Sequence, residues 1–441
     1  MSLTPAAASR VLQSTRPCRS YGKVCKVVGM IAEGCGVRAP LGTVCSLIPD
    51  GEGANGSEIA AEIVGFKDNA VLFMPYGDMR GIQPGSLIRS DGAAPLMPVG
   101  ESFLGRAVDA FGRPLDGHAG SVAADDHYPL FAEPPNPLSR PRIADPLDVG
   151  VRAINGLLTL GKGQRVGIMA GSGVGKSTLM GMMARYTEAD INVIALVGER
   201  GREVVEFMEK DLGPEGMARS VLVVATSDQS PLVRMRAAYA ATSMAEYFRD
   251  QGRNVLLMMD SVTRFAMAGR EVGLAVGEPP TSRGYTPSVF SHLPKLLERA
   301  GRSEKGTITG IYTVLVDGDD FNEPIADATR SILDGHIVLT RDLADKGHYP
   351  SIDVLKSVSR LRGDVTPDEV QQAGRKALRH LATFNKVEDM VNIGAYSQGS
   401  NPEIDKALQM VGPLNEYLRQ AVGNPADLEA SFQALTKLAG S

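Results

Sequence analysis

There is no tryptophan among the 441 residues, and aromatic side chains make up only 5 % of the chain. A surface that binds single-stranded nucleic acid by stacking bases on rings has little to be built from. The formal net charge is −5, so no excess of positive charge calls for a polyanion partner, and no nucleic acid is expected. Cysteine is scarce too. Cys18, Cys25, Cys35 and Cys45 are the four, no pair has C-x-x-C spacing, and no histidine lies among them. That pattern argues for reduced thiols rather than a zinc site or disulfides. The six histidines are scattered, so no protein-built metal cluster is expected. Long apolar runs are also missing. The longest, INVIALV (191–197) and VLLMM (255–259), have the length of buried strands, not of membrane spans. The first twenty residues lack the apolar core of a secretory signal. They carry three arginines and no acid, a composition that fits either a transit peptide or a flexible docking arm.

What is present is the composition of a soluble globular protein, 43 % hydrophobic and 22 % charged, at a length that calls for two or three domains. Residues 20–97 hold short Val/Ile/Gly-rich runs such as SEIAAEIVGF and NAVLFMPYG, punctuated by Gly and Pro. They predict several short strands in a small barrel or sandwich. Five prolines between Pro134 and Pro146 predict an extended segment lying on the next domain. From about 148 to 362 the period changes. RVGIMA, INVIALV, SVLVVAT, NVLLMMD and TITGIYTVL alternate with helical stretches, the pattern of a parallel sheet covered on both faces. Ser230-Pro231 reads as a helix start and Gly252 as its end. After 365 the strands stop. Thr366-Pro-Asp-Glu369 reads as a capping box, and Asn401-Pro402 and Asn424-Pro425 as further helix starts. The expected division is an arm (1–20), a β-barrel domain (21–97), a RecA-like P-loop α/β domain with a mostly parallel sheet (98–364) and a helical domain (365–441).

AGSGVGKST (170–178) fits a phosphate-binding loop, with Ala170 in place of the usual first glycine. Gly171, Ser172, Gly173, Val174 and Gly175 would turn backbone N–H groups toward phosphate oxygens at a helix N-terminus, where the dipole favours anions. Lys176 would reach the β- and γ-phosphates of ATP, and Ser177 would coordinate Mg2+, with Thr178 beside it. NVLLMMDS puts Asp260 at the end of an apolar strand, where an acid holds the Mg2+ shell or else caps the next helix. VGERGREV puts Glu199 just past another strand. There it would activate water, or it would pair with Arg200 or Arg202 on the surface. Nothing in spacing alone singles out Arg360 in SVSRLR.

Longer stretches carry a resemblance. PSIDVLKSVS (350–359) is similar to the signature of the ATPase family that includes the ATP synthase α and β chains. VGERGREV resembles the β type, and LLERAG (296–301) with SVSR (357–360) the α type. VGESFLGRAVDAFGRPLDG (99–117), GEPPTSRGYTPSVFSHLPKLLERAG (277–301) and DGDDFNEPIADATRSILDGHIVL (317–339) resemble the flagellar and injectisome export ATPases of that family. The resemblance runs from about residue 20 to the C-terminus. It implies Glu199 as general base, Arg200 near the γ-phosphate, Arg360 as an arginine finger on the neighbouring subunit, and Tyr349 packed on adenine; the alternative for Tyr349 is an ordinary half-buried tyrosine. It implies a homohexamer with a complete site at every interface, since Glu199 and Arg360 share one chain. It further implies a stalk in the ring centre facing DGDDFNEP (317–324), a regulator at the N-terminal arm, and chaperone–substrate complexes at the C-terminal domain. The place implied is cytoplasmic, peripheral to the inner membrane. The function implied is Mg2+-dependent ATP hydrolysis that energises protein export through a flagellar apparatus, with an injectisome export ATPase as the alternative. Two further alternatives are a rotary synthase subunit and an RNA-translocating hexamer. The first lacks support in the finger region, and the second in the sparse aromatics.

Overall fold

The computed structural model describes residues 19–49, 58–92, 94–117, 120–316, 320 and 323–440. The first six strands are β1 (Ser20–Val28), β2 (Ile31–Cys35), β3 (Val44–Ile48), β4 (Ile59–Lys67), β5 (Ala70–Pro75) and β6 (Leu87–Ser90). They close into a barrel in the order β1-β2-β5-β4-β3-β6, and β6 pairs back on β1. Alternation makes this possible. In β3, Cys45 and Leu47 point inward between half-exposed neighbours, and they join Val24, Ile63, Phe73 and Ile88 in a private core. The interior leaves no room at Gly34. A Cβ there would meet Ile88 Cδ1 at 2.2 Å and Phe73 Cε2 at 2.9 Å, so a side chain at this position would push both out of the core. The arm expected over residues 1–20 lies, but for its last two residues, outside the described residues.

The central sheet is built from β7 (Ala107–Val108), β8 (Arg165–Ala170), β9 (Ile191–Val197), β10 (Ser220–Ala225), β11 (Asn254–Asp260), β12 (Thr307–Leu315), β13 (Gly335–Leu339) and β14 (Val358–Ser359). Their order is β14-β13-β8-β12-β11-β9-β10-β7. All neighbours on this path are parallel except β13 and β14. Every residue of β9 is buried, as a strand covered on both faces requires. From β8 the chain crosses to β9 through helix α1 (Lys176–Tyr186) and returns to β8's two sides only with β12 and β13. That leaves a crevice outside the carboxyl end of β8, the usual ligand position in an open parallel sheet.

Helix α2 (Pro231–Asp250) starts where Ser230-Pro231 predicts, with Ser230 Oγ accepting from Val233 N at 3.4 Å. The Pro-rich segment lies on the central domain as expected. Arg140 fastens it by donating to the carbonyls of Glu298 (2.5 Å) and Ala300 (3.0 Å). Arg299, within LLERAG, is fully buried and grips both oxygens of Glu246 at 2.9 and 2.6 Å. Removing one partner of such a pair costs about 3–5 kcal/mol, because the other is left charged in the interior.

Helices α4 (Asp368–Asn392), α5 (Pro402–Leu418) and α6 (Leu428–Gly440) follow, with a further helix, α3 (Val262–Val276), inside the central domain. Two expected starts shift. The capping box at 366 does not form: Pro367 has extended backbone and is itself the cap, and Thr366 Oγ1 is buried without a partner. The third helix begins at Leu428, not after Asn424. Asp427 Oδ1 accepts from Ala430 N at 2.6 Å and Asp148 Oδ2 from Leu428 N at 2.8 Å, so the decisive acceptors lie later in the chain and in another domain. Asn401 does cap α5, accepting from Glu403 N at 2.9 Å.

Candidate nucleotide site

The loop from Gly171 to Gly175 leaves the buried strand β8 and feeds α1. Gly173 (φ 77°) and Gly175 (φ 88°) take left-handed backbone that L side chains resist. Such turns aim successive N–H groups into one concavity at the helix N-terminus. Two contacts hold the loop from outside. Ser351 Oγ donates to Val174 O at 2.6 Å, and Arg341 Nη2 donates to Ser172 O at 3.0 Å. Sequence reasoning missed both residues. Ser351 stands inside PSIDVLKSVS but was not distinguished from its neighbours, and Arg341 has no local signal.

Lys176 Nζ hydrogen-bonds Asp260 Oδ1 and lies 3.8 Å from Glu199 Oε1. Asp260 ends β11 and is buried, and Thr313 Oγ1 on β12 donates to the same Oδ1 at 2.7 Å. Thr313 was missed, although a threonine in a strand buried over eight of its nine residues is itself a signal. Helix α3 is capped by Ser261, whose Oγ accepts from Arg264 N at 3.3 Å. The capping alternative for Asp260 is thereby taken by its neighbour. Ser177 and Thr178 lie in the first turn of α1, Ser177 exposed.

Glu199 follows β9, and its side chain is 14 % exposed. Burial, then the Asp260 carboxylate, pushes its carboxyl up to about 7, against the pull of Lys176. Glu203, one helical turn on, shares a hydrogen bond with it and is held below the usual range. Arg200 and Arg202 are occupied elsewhere. Arg200 Nη1 pairs with Glu203 at 3.2 Å and Arg202 Nε with Glu206 at 3.8 Å, both arginines about 80 % exposed. The ion-pair alternative for Glu199 therefore does not describe the structure, and Arg200 itself faces solvent.

The Tyr349 ring is half-exposed and flanks the loop; a Cβ added at Gly175 would come within 3.6 Å of it. Its carbonyl accepts from Gln420 N of the helical region at 2.9 Å. Arg360 is not brought to this cluster. It follows β14, whose Ser359 pairs with Gly335 at the start of β13, whereas the loop leaves β8 level with Leu339 at the end of β13. Four residues of strand separate the two levels by about 13 Å. Arg360 is exposed, with Nη2 donating to Arg330 O at 3.4 Å. Of DGDDFNEP, Glu323 caps a helix by accepting from Ile325 N and Ala326 N, and Asp320 pairs with Arg283. Residues 317–319, 321 and 322 lie outside the described residues. A cavity of about 340 Å3 opens between barrel and central domain, lined by Glu62, Arg236, Tyr239 and His292 among others, and none of the candidate residues borders it. Chemistry, not volume, marks the site.

Three family models match in chain order. They are the ATP synthase alpha/beta family β-barrel domain over 18–92, the nucleotide-binding domain of that family over 150–359, and the T3SS EscN ATPase C-terminal domain over 366–437. The flagellum-specific ATP synthase of Bacillus subtilis is 54 % identical over 98 % of both chains. The type 3 secretion system ATPase of Xanthomonas euvesicatoria is 48 % identical over 95 % of this chain and 94 % of its own. The assembled ATPase EscN of the enteropathogenic E. coli type III secretion system superposes with a TM-score of 0.90 at 45 % identity, covering 95 % of this chain and all of EscN. A second EscN structure, in complex with its central stalk EscO, gives 0.87. With identity of this order over the whole length, the chain belongs to the ATP synthase alpha/beta family, in the branch of the flagellum-specific and type III secretion ATPases.

Proposed function

We propose that the protein hydrolyses ATP with Mg2+ at sites shared between identical chains, and that this drives protein export through a flagellar type III apparatus. The observation that carries the reading is the cluster of Lys176, Glu199 and Asp260 at the mouth of the phosphate loop, at the carboxyl edge of the sheet. Lys176 exchanges its carboxylate partners for phosphate oxygens when nucleotide enters. The donors suit Mg2+: an exposed hydroxyl (Ser177) beside a buried carboxylate (Asp260) is an all-oxygen set of the kind this ion prefers when substrate phosphates complete it. Mg2+ would neutralise phosphate charge. Glu199, freed from the lysine, accepts the proton of the attacking water. A carboxyl balanced near neutrality is suited to that transfer. Arg360 serves the neighbour's site, and Tyr349 flanks the base.

The structures of assembled EscN and of EscN with its stalk support a ring of copies and a central partner for this chain as well. The division into arm (1–20), barrel (21–97), ATPase domain (98–364) and helical domain (365–441) fits that assembly. A regulator at the arm, chaperone–substrate complexes at the helical domain and a peripheral position at the inner membrane complete the reading; among the described residues no helix is long and apolar enough to cross a membrane. The 48 % identity to an injectisome ATPase sustains that export system as the second reading.

The test has two arms. Phosphate release by purified protein should require Mg2+ and fall at least ~100-fold in Lys176→Ala. The gene should restore motility to a flagellar bacterium lacking its own export ATPase, and Lys176→Ala should not. Hydrolysis without restored motility, together with restored secretion in an injectisome mutant, decides for the second reading.

A further inference from the structure

The barrel's first hairpin carries a feature that nucleotide chemistry does not use. Antiparallel pairing runs Lys23↔Cys35, Val24↔Gly34, then Lys26↔Glu33, so Cys25 is an extra residue with no partner of its own. A bulge of this kind bends its strand and re-aims the extra side chain. Here it turns Cys25 toward Cys35 on the outer face of the barrel. Both are exposed free thiols, and the Cys25 thiol donates to Cys35 Sγ at 2.8 Å. In a regular ladder, Cys25 and Cys35 would be diagonal neighbours about 7–8 Å apart at Cα, a spacing beyond the usual range for a disulfide. The bulge removes that separation. Closing the sulfurs to bonding distance of ~2.05 Å asks for less than an ångström of movement. Cys45 points into the barrel core and meets neither of them.

The geometry points to Cys25 and Cys35 as a dithiol that closes reversibly to a disulfide by exchange with a small-molecule disulfide such as oxidised glutathione. One cysteine thiolate attacks the small disulfide, forms a mixed disulfide and expels one small thiolate. The second cysteine thiolate attacks the protein sulfur of that mixed disulfide and expels the other. Each cysteine proton ends on a leaving thiolate. The sum is two protein thiols plus one small disulfide giving one protein disulfide plus two small thiols. The contact with Cys35, then burial, pushes the Cys25 thiol up, so exchange quickens as pH rises above neutrality. Exposed pairs of this kind inside cells serve as transient redox sensors, not permanent staples.

The test treats the full-length protein with excess oxidised glutathione, blocks remaining thiols and digests with trypsin. The expected product is a cross-link between residues 24–26 and residues 27–38, with loss of two hydrogens from the intact mass, both reversed by dithiothreitol. Cys25→Ser and Cys35→Ser should each keep a stable glutathione adduct on the remaining cysteine of the pair, because the resolving thiol is gone, while the unmodified sequence keeps none at either position. Adducts on both cysteines of the unmodified sequence overturn the proposal. So does a link to Cys18 or Cys45, and so does the absence of any reaction in protein that retains full ATPase activity.

Discussion

Glu199 shows most clearly what one residue's surroundings decide. From the sequence it was either a base or a surface ion-pair partner, because two arginines follow it within three positions. The structure assigns those arginines to Glu203 and Glu206 and leaves Glu199 facing Lys176. Burial, then the Asp260 carboxylate, pushes the Glu199 carboxyl up to about 7 from an ordinary 4.5. As the proposed base, Glu199 would work when ionised, so kcat/KM for ATP should rise with pH through about 7 and level off above it. For stability the sign is opposite. A carboxyl raised on folding contributes stability that is fully present below 4.5 and is lost as pH rises through about 7. Glu199→Gln should therefore lower kcat ~100- to 10,000-fold and abolish the pH limb while keeping nucleotide binding. It should also melt progressively higher than the unmodified protein as pH is raised from 5 to about 8. A rate profile that keeps its limb near 7 in the variant would assign that titration to another group.

At the scale of elements, the helix that carries Lys176 is held at its far end by a residue no motif pointed to. Arg219 donates to the carbonyls of Ala184 and Arg185 at 2.8 Å and of Thr187 and Ala189 at 2.9 Å. The first three belong to the helix end, whose last carbonyls have no intrahelical partner, and Ala189 lies just beyond it; the cation also complements the dipole. Arg219→Ala should cost about 2–3 kcal/mol in denaturant unfolding. Arg219→Lys should recover little of it, since a point charge cannot reproduce the planar fork. Equal stability of arginine and alanine proteins would show that water replaces the side chain fully. This part of the fold was invisible beforehand because its partners lie some thirty positions away. The same reason explains the misplaced helix starts. Asn401 announces α5 because its acceptor is local, whereas α6 begins at Leu428 because Asp148, 280 positions earlier, supplies one of the acceptors. The strands of the central sheet were legible, since full burial on both faces writes an unbroken apolar run, as in β9. The phosphate loop was legible because glycine, lysine and serine at fixed spacing answer to one chemistry.

For the whole molecule, the placement of Arg360 decides how many chains make one site. Its own phosphate loop leaves the opposite edge of the sheet, so under the proposed function a single chain would hold half of two sites. In a closed ring of identical head-to-tail contacts, each interface would pair one chain's Lys176 and Glu199 with the next chain's Arg360. Lys176→Ala and Arg360→Ala should then each be inactive alone, the second losing about 1,000-fold or more. Mixed in equal amounts and allowed to reassemble, they should regain activity. An interface is intact only when the loop comes from the Arg360 variant and the finger from the Lys176 variant. Random assembly gives that arrangement at about a quarter of interfaces. Phosphate release per chain should approach a quarter of the unmodified value if sites act independently, and should rise with protein concentration as the ring forms. If the finger instead reached its own chain's nucleotide after a rearrangement, no mixture would contain an intact site. Activity would stay at the average of the two variants, flat in concentration, and the shared-site assembly would have to be abandoned while the hydrolytic cluster of Lys176, Glu199 and Asp260 remained.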